Sequence, residues 1–321
     1  LLNGTENKIS FWESYFHTIK IFPKEVTCLM TTYNTNLEFL DKTISCIINQ
    51  KYSNIKFIIC NDSPDNHILQ NKLDEYALND ERISVLKNDT NMGIGYTRQK
   101  LKNLSTSEFT AIIDDDDLYP DDKILKQVAV LMAKKDISLC FTNGETIGLK
   151  DDIVLNTPTD NELRTSLIHE NKILNPSVIY RTKDFKNINY DVNLRFGEDY
   201  DFWFNAIIKN DLKFFGIKEI LYFYRKNSDS SLTKDVMNQR EIHQRIIQNN
   251  FNFIGYNINN QIAKYLDPHQ TPVPKLSYLE KNKLNSILIS ICNKFNLDLK
   301  YFMNFSVFFL ISSVIFLMMA Q

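Results

Sequence analysis

At 321 residues the chain has room for one large domain, or for one domain with an appendage. Hydrophobic residues at 43% and charged residues at 24% support a full core and exclude global disorder. The 37 basic and 39 acidic residues leave a net charge of -2, without the basic excess of a nucleic-acid binder, and 8 Gly and 8 Pro exclude collagen-like and low-complexity classes.

Three apolar runs share one design: Val26–Thr32 (VTCLMTT), residues 55–60 (IKFIIC) and residues 109–113 (FTAII). Short, continuous and rich in β-formers, they predict central parallel strands covered on both faces. Leu37, Leu40, Ile44, Ile47 and Ile48 recur at helical spacing after the first run, and Ile68, Leu69, Leu73 and Tyr76 after the second. Ile83–Lys87 predicts a fourth strand and residues 137–142 a fifth. This alternation implies right-handed βαβ units and an α/β fold with a mostly parallel central sheet flanked by helices. After Thr142 the rhythm changes. Residues 144–155 read as a hairpin, and 178–181 and 220–224 as further strands. Tyr200, Trp203, Phe204, Ile207 and Ile208 read as a helix starting near Glu198. Residues 234–264 read as one long polar helix, followed by a proline-containing break at 267–274.

Residues 302–320 carry no charge and approach the roughly 20 needed to cross a bilayer. Before them, Leu284, Ile287, Leu288, Ile291 and Phe295 alternate with Lys281, Lys283, Lys294 and Lys300. A basic amphipathic stretch leading into an apolar one predicts membrane attachment at the cytoplasmic face, of the bacterial inner-membrane type. A buried or dimerising helix is the alternative, favoured by Asn304, Ser306, Ser312 and Ser313. The five cysteines (Cys28, Cys46, Cys60, Cys140 and Cys292) form no CxxC pair, which predicts a reducing compartment with neither a disulfide framework nor a zinc site.

The first three strands run into polar residues: Thr31, Thr32, Tyr33 and Asn34; then Asn61, Asp62 and Ser63; then Asp114, Asp115, Asp116 and Asp117. In an open parallel sheet these ends line a single edge where ligands bind. Four consecutive aspartates leaving a buried strand repel one another, and a hard divalent cation with bound phosphates would compensate. The plain alternative is a solvated loop before a helix, with Pro120 at its first position and Asp121 and Asp122 favouring its N-terminus.

The stretch VTCLMTTYNTNLEFLDKTISCIINQKYSNIKFIICNDSPDN resembles the opening of family 2 glycosyltransferases of the GT-A fold. NMGIGYTRQ from Asn91, IIDDDDLYP from Ile112 and FGEDYDFWF from Phe196 follow in the family's order, so the resemblance covers residues 26–232. It implies an inverting enzyme that moves a sugar from a nucleoside-diphosphate donor, expected to be a UDP-sugar, to a hydroxyl of a glycan or lipid-linked acceptor. Asp62 corresponds to the acid that meets the nucleobase, with Thr32, Tyr33 and Asn34 around base and ribose. Gly93 allows a tight turn near the donor, and Arg98 matches the basic residue near the diphosphate. The DxD motif maps onto the aspartate run. Aligned on the strand, Asp114 and Asp116 form the pair; aligned on Pro120, Asp115 is favoured. Asp116, with Asp114, is expected to hold Mn²⁺ or Mg²⁺. Asp199 matches the base that accepts the acceptor proton, and Glu198 supports acceptor binding. Trp203 reads as core packing rather than a sugar platform. The family stretch YRxHxxS is present as YRKNSDS, with Asn227 where His is common and with Arg225 and Ser231 still in place.

The resemblance divides the chain into an N-terminal extension (1–25), a transferase domain (26–232, with a nucleotide half 26–117 and an acceptor half 118–232), a helical extension (233–300) and an apolar membrane segment (301–321). Three competing readings remain. A processive polysaccharide synthase would carry QxxRW, yet the only tryptophans are Trp12 and Trp203. A catalytically inactive sugar-nucleotide-binding module is opposed by the intact acidic residues. A sugar nucleotidyltransferase would need a Gly-rich loop where this chain has TTYNTN.

Overall fold

The computed structural model describes residues 24–148, 153–226 and 236–297. They fall into two compact units, one from Leu1–Thr157 with Ile173–Lys234, the other from Pro158–Lys172 with Asp235–Gln321. The first is built on a sheet whose strands are β1 (Val26–Thr32), β2 (Ile55–Asn61), β3 (Ile83–Lys87), β4 (Phe109–Asp114), β5 (Leu139–Ile147), β6 (Val154–Leu155), β7 (Ile179–Arg181) and β8 (Phe214–Arg225). Its order is β3-β2-β1-β4-β7-β5-β6, with β8 paired to β5. The β1–β2, β2–β3, β1–β4 and β5–β8 pairs are parallel; β7 runs antiparallel to both β4 and β5.

The apolar runs fold as the periodicity predicts. Alternate residues of β1 face opposite sides of the sheet, which is why a central strand must be apolar throughout. Cys28 and Met30 pack with Ile44 of α1 (Leu37–Ile48), Leu73 of α2 (His67–Asn79) and Val128 of α4 (Lys123–Ala133). On the other side Leu29 and Cys60 pack against Leu101 of α3 (Ile94–Leu104). Asn36 caps α1 by accepting from the amides of Glu38 and Phe39, and Asn66 caps α2 by accepting from Leu69.

The plain alternative of a solvated loop before a helix at Pro120 does not hold, and one expectation needs correction. The helix after the aspartates begins at Lys123 rather than at Pro120. The acidic run is no solvated loop, because Asp117 is fully buried. Residues 234–264 do not form one helix. In the second unit α7 (Val236–Phe253) stops, Gly255 takes a positive φ of 98°, and Asn259 caps a new helix α8 (Asn260–Leu266) by accepting from Ile262. That unit also contains α5 (Asp160–Ser166) and α9 (Tyr278–Phe295), each opened by a capping box. No helix among the described residues is long and apolar enough to cross a membrane, and the apolar segment 302–320 lies outside them. All five cysteines are free.

One core residue offers a stability test. Lys123 is 0% exposed, its Nζ has no hydrogen-bond partner, and it stands 5.4 Å from the Tyr119 ring centroid. Burial pulls its amine down to about 8. Against an unfolded value of about 10.4, this corresponds to roughly 3 kcal/mol of destabilisation at neutral pH. Lys123→Met is therefore expected to raise the urea midpoint. The gain over wild type should be constant below pH 8 and shrink as the pH rises towards 10.5, where the unfolded lysine also loses its proton. A variant no more stable than wild type at pH 7 would show that the buried amine costs nothing.

Candidate active site

The site is positioned by strand register. Thr32 lies beside Asn61 across β1–β2, and Thr31 beside Asp114 across β1–β4. The carboxyl ends of three parallel strands therefore finish level, about 4.8 Å apart. The Asp62 amide continues the ladder by donating to the Thr32 carbonyl (2.9 Å), and the Asn88 amide does so to the Asn61 carbonyl (2.9 Å).

Asp62 is only 4% exposed, and both of its carboxylate oxygens are engaged by the chain. Oδ1 accepts from Asn88 Nδ2 (2.7 Å) and the Met92 amide (2.9 Å); Oδ2 accepts from the Gly93 amide (2.9 Å). The acid that sequence assigned to a nucleobase thus also fixes the turn that opens α3. Gly93 takes φ 85° there, a conformation L side chains avoid. Asn88, which sequence reasoning missed, joins Asp62 to Thr97 Oγ1 (2.9 Å) and accepts from Lys100 Nζ (2.7 Å).

Beside this turn lies a cavity of about 310 Å³, lined among others by Tyr33, Asn34, Ser63, Asp65, Asp89 and Asn91. Tyr33 is 56% exposed, so its ring is open to a partner. Asn34 adopts a left-handed φ of 47°, tolerated by asparagine, and is pinned by Ser63 Oγ accepting from its amide (3.2 Å). Asn66 Nδ2 donates to its side-chain oxygen (3.1 Å).

The basic residue near the diphosphate in the sequence reading has a more specific place. Arg98, buried in α3, donates through Nη2 to Asp114 Oδ1 (2.8 Å) and through Nη1 to Glu198 Oε1. Three separate motifs are joined by one guanidinium. Gly95 makes this possible. A Cβ there would lie 2.6 Å from the Asp191 carbonyl oxygen and 2.7 Å from that of Leu194, so only glycine lets α3 approach the turn that leads to Glu198. The same turn is held by the Tyr190 amide donating to Gln99 Oε1 (2.8 Å) and by Tyr190 stacked on Phe202 at 3.9 Å.

Glu198 and Asp199 open α6 (Glu198–Phe204), after Gly197 in the left-handed region at φ 68°. Glu198 is buried; burial raises its carboxyl, and Arg98 opposes that rise. Its fixed pairing gives it a structural task beside the acceptor role expected from sequence. Asp199 is partly exposed and accepts from the Tyr200 amide (2.8 Å). Burial also raises the Asp199 carboxyl, while Arg98 lowers it. Trp203 is 0% exposed and meets Phe185 and Phe202 edge-on, so it packs the core.

The four aspartates have four different surroundings. Asp114 carries Arg98, so one of the two expected metal ligands already has a cation on Oδ1. Asp115 is pushed up to about 7 by burial and by Asp116, against the Thr32 hydroxyl beside it. Asp116 is partly exposed, and its carbonyl accepts from Arg225 Nε (2.7 Å). Asp117 accepts from Tyr222 Oη (2.6 Å) and the Arg225 amide (2.7 Å), which ties the loop to β8. No hydrophobic pattern marked Asp117 as internal, because an acid in a polar run carries no periodicity. Among the described residues no group of three or more acidic, histidine or cysteine side chains is arranged to hold a metal. Asp115 is raised first by burial and then by Asp116, and the neighbouring carboxylates of Asp115 and Asp116 offer hard oxygen donors of the kind that suit a divalent cation. Asn227 and Ser231 lie outside the described residues.

The pattern described as Glycosyl transferase family 2 matches residues 27–192, just over half of the chain. An uncharacterized glycosyltransferase of Methanocaldococcus jannaschii is 32% identical over 214 residues, covering 65% of this chain and 73% of that one. Residues 1–349 of TarS from S. aureus, solved with UDP-GlcNAc, superpose with a TM-score of 0.59 at 16% identity over 83% of this chain and 81% of that one. The mannosyltransferase PcManGT of Pyrobaculum calidifontis, solved with GDP-Man and Mn²⁺, superposes with a TM-score of 0.53 at 10% identity over 90% and 85%. The mixed α/β sheet flanked by helices is thus the GT-A fold, and the chain belongs to the family 2 glycosyltransferases.

Proposed function

We propose that the chain is an inverting transferase that moves a sugar from a nucleoside-diphosphate donor, a UDP-sugar first, to a hydroxyl of a glycan or lipid-linked acceptor. The observation that carries this reading is the single guanidinium that unites Asp114 at the end of β4 with the Glu198-Asp199 pair. It brings the Asp114 end of the acidic rim next to the Glu198-Asp199 pair, which supports a reading in which that rim faces the diphosphate and Asp199 takes the proton. The base stacks on Tyr33 in the 310 Å³ cavity, with Asn34, Thr32 and the Asp62 turn around base and ribose. In the transfer step the acceptor oxygen attacks the anomeric carbon from the face opposite the diphosphate. The new C–O bond forms as the bond to the diphosphate breaks, and the acceptor proton passes to Asp199. Asp116 with Asp115 would hold Mn²⁺ or Mg²⁺, which supplies neutralisation of charge on the departing diphosphate. The chain works at the cytoplasmic face of a membrane, held there by the segment 302–320.

A panel of UDP-glucose, UDP-galactose, UDP-GlcNAc and GDP-mannose, with and without Mn²⁺, tests the reading through release of nucleoside diphosphate. One donor should be hydrolysed, faster with the ion. Thermal stabilisation by a donor with no release under any condition would instead identify an inactive binding module.

A further inference from the structure

Asn175 has a side chain that the site described above does not use. It opens the 3-10 turn Asn175–Ser177 just before β7, is 6% exposed, and has no hydrogen-bond partner for Oδ1 or Nδ2. Among the described residues no other buried side-chain amide lacks partners on both atoms. Three of the turn's backbone groups, by contrast, are engaged. Val178 donates to the Asn175 carbonyl (3.2 Å), Ser177 donates to the Leu174 carbonyl (2.9 Å), and Gln127 Nε2 donates to the Ser177 carbonyl (2.8 Å). An amide offers two donors and an acceptor with two lone pairs, and burying all of them unmet opposes folding. An unmet amide at this place offers both a donor and an acceptor to a ligand.

Its place in the sheet fixes which part of a bound ligand could reach it. The turn packs against β4, and the Ile112 amide donates to the Val178 carbonyl (3.2 Å), extending the antiparallel pairing of Ala111 with Ile179. Asn175 therefore stands on the far side of the Asp114-Asp115 end from β1 and β2. Along the rim the order is the base cavity at β2 and β1, the aspartates at β4, then Asn175 before β7. Three strand spacings separate β2 from β7, roughly 14 Å. A nucleotide sugar laid across this edge presents base, ribose, diphosphate and sugar in the same order.

We propose that Asn175 reads the transferred sugar, its amide donating to one hydroxyl and accepting from the neighbouring one. This rests on the donor reading proposed above. A planar group that both donates and accepts matches a vicinal diol and distinguishes epimers, which place one of the two hydroxyls out of reach.

The test compares wild type with Asn175→Asp, which keeps the shape but loses the donor, and Asn175→Leu, which loses both functions. Affinity for UDP alone and for each nucleotide sugar of the panel is measured by calorimetry, and release of nucleoside diphosphate gives the preference between UDP-glucose and UDP-galactose. Both variants should bind UDP as wild type does, bind the preferred nucleotide sugar at least tenfold more weakly, and lose at least tenfold in preference between the two epimers. Unchanged preference in a folded Asn175→Asp protein overturns the assignment, as does a Leu variant that is more stable and equally selective. Wild type that neither binds nor hydrolyses any donor overturns the donor reading itself, whereas an active wild type with indifferent variants overturns only the role of Asn175.

Discussion

Asp199→Asn is expected to lower the rate of sugar transfer by about 10²–10⁴-fold while leaving donor affinity nearly unchanged. The replacement is isosteric and retains an oxygen to accept from the Tyr200 amide, so the start of α6 should keep its shape. What is lost is the capacity to take a proton. Because burial raises the Asp199 carboxyl, the wild-type enzyme has a built-in pH signature. A base must be unprotonated, so kcat/KM should rise with pH and level off above the raised value. Its acid limb should lie at higher pH than an ordinary aspartate near 3.9 would give. Initial rates from pH 4 to 8, together with donor titrations of the variant, check both parts. Near-normal turnover by the Asn protein would dismiss Asp199 as the base.

Arg98→Met carries the second large effect. It leaves Asp114 and Glu198 without their shared cation in a buried setting, a class of change that typically costs about 3–5 kcal/mol. Transfer should fall as well, since the Glu198-Asp199 pair would lose the link that sets it against the aspartate rim. The pH dependence distinguishes this mechanism from a simple packing defect. Burial already holds Glu198 at about 7 with Arg98 in place, and without Arg98 it rises further, so the variant loses additional folded-state stability as the pH climbs above 7. The deficit relative to wild type should therefore grow between pH 7 and pH 9. Arg98→Lys should recover only part of the stability, because a single ammonium cannot reproduce the two-armed geometry. Urea midpoints at the two pH values decide the matter. A deficit independent of pH would mean that the methylene stem, not the charge, is what matters.

How much of this was legible beforehand follows from the kind of signal each residue carries. The parallel core was readable because covered strands must be apolar throughout, as VTCLMTT, IKFIIC and FTAII are. The meeting of Asp62, Gly93, Arg98, Asp114 and Glu198 was readable as ordered motifs, but not their partners. Arg98 could equally have faced phosphate or carboxylates, and only the close approach at Gly95 decides which groups reach it. Within the aspartate run, four identical letters conceal four environments, since burial of Asp117 depends on Tyr222 and Arg225 more than 100 positions away. Asn175 gave no signal at all, because an asparagine beside a proline is what any turn would display.

The level finish of β1, β2 and β4 has a consequence for how such an enzyme can diverge. The hydrogen-bonded ladder works as a ruler: it measures where the chemistry falls by counting residues, indifferent to which aliphatic side chains are counted. Interior letters can therefore drift widely, whereas inserting or deleting one residue in β1 would swing Thr32 to the opposite face and separate Asn61 from its neighbour. Lineages descended from a common ancestor should accept many exchanges inside these strands and almost no change in their length.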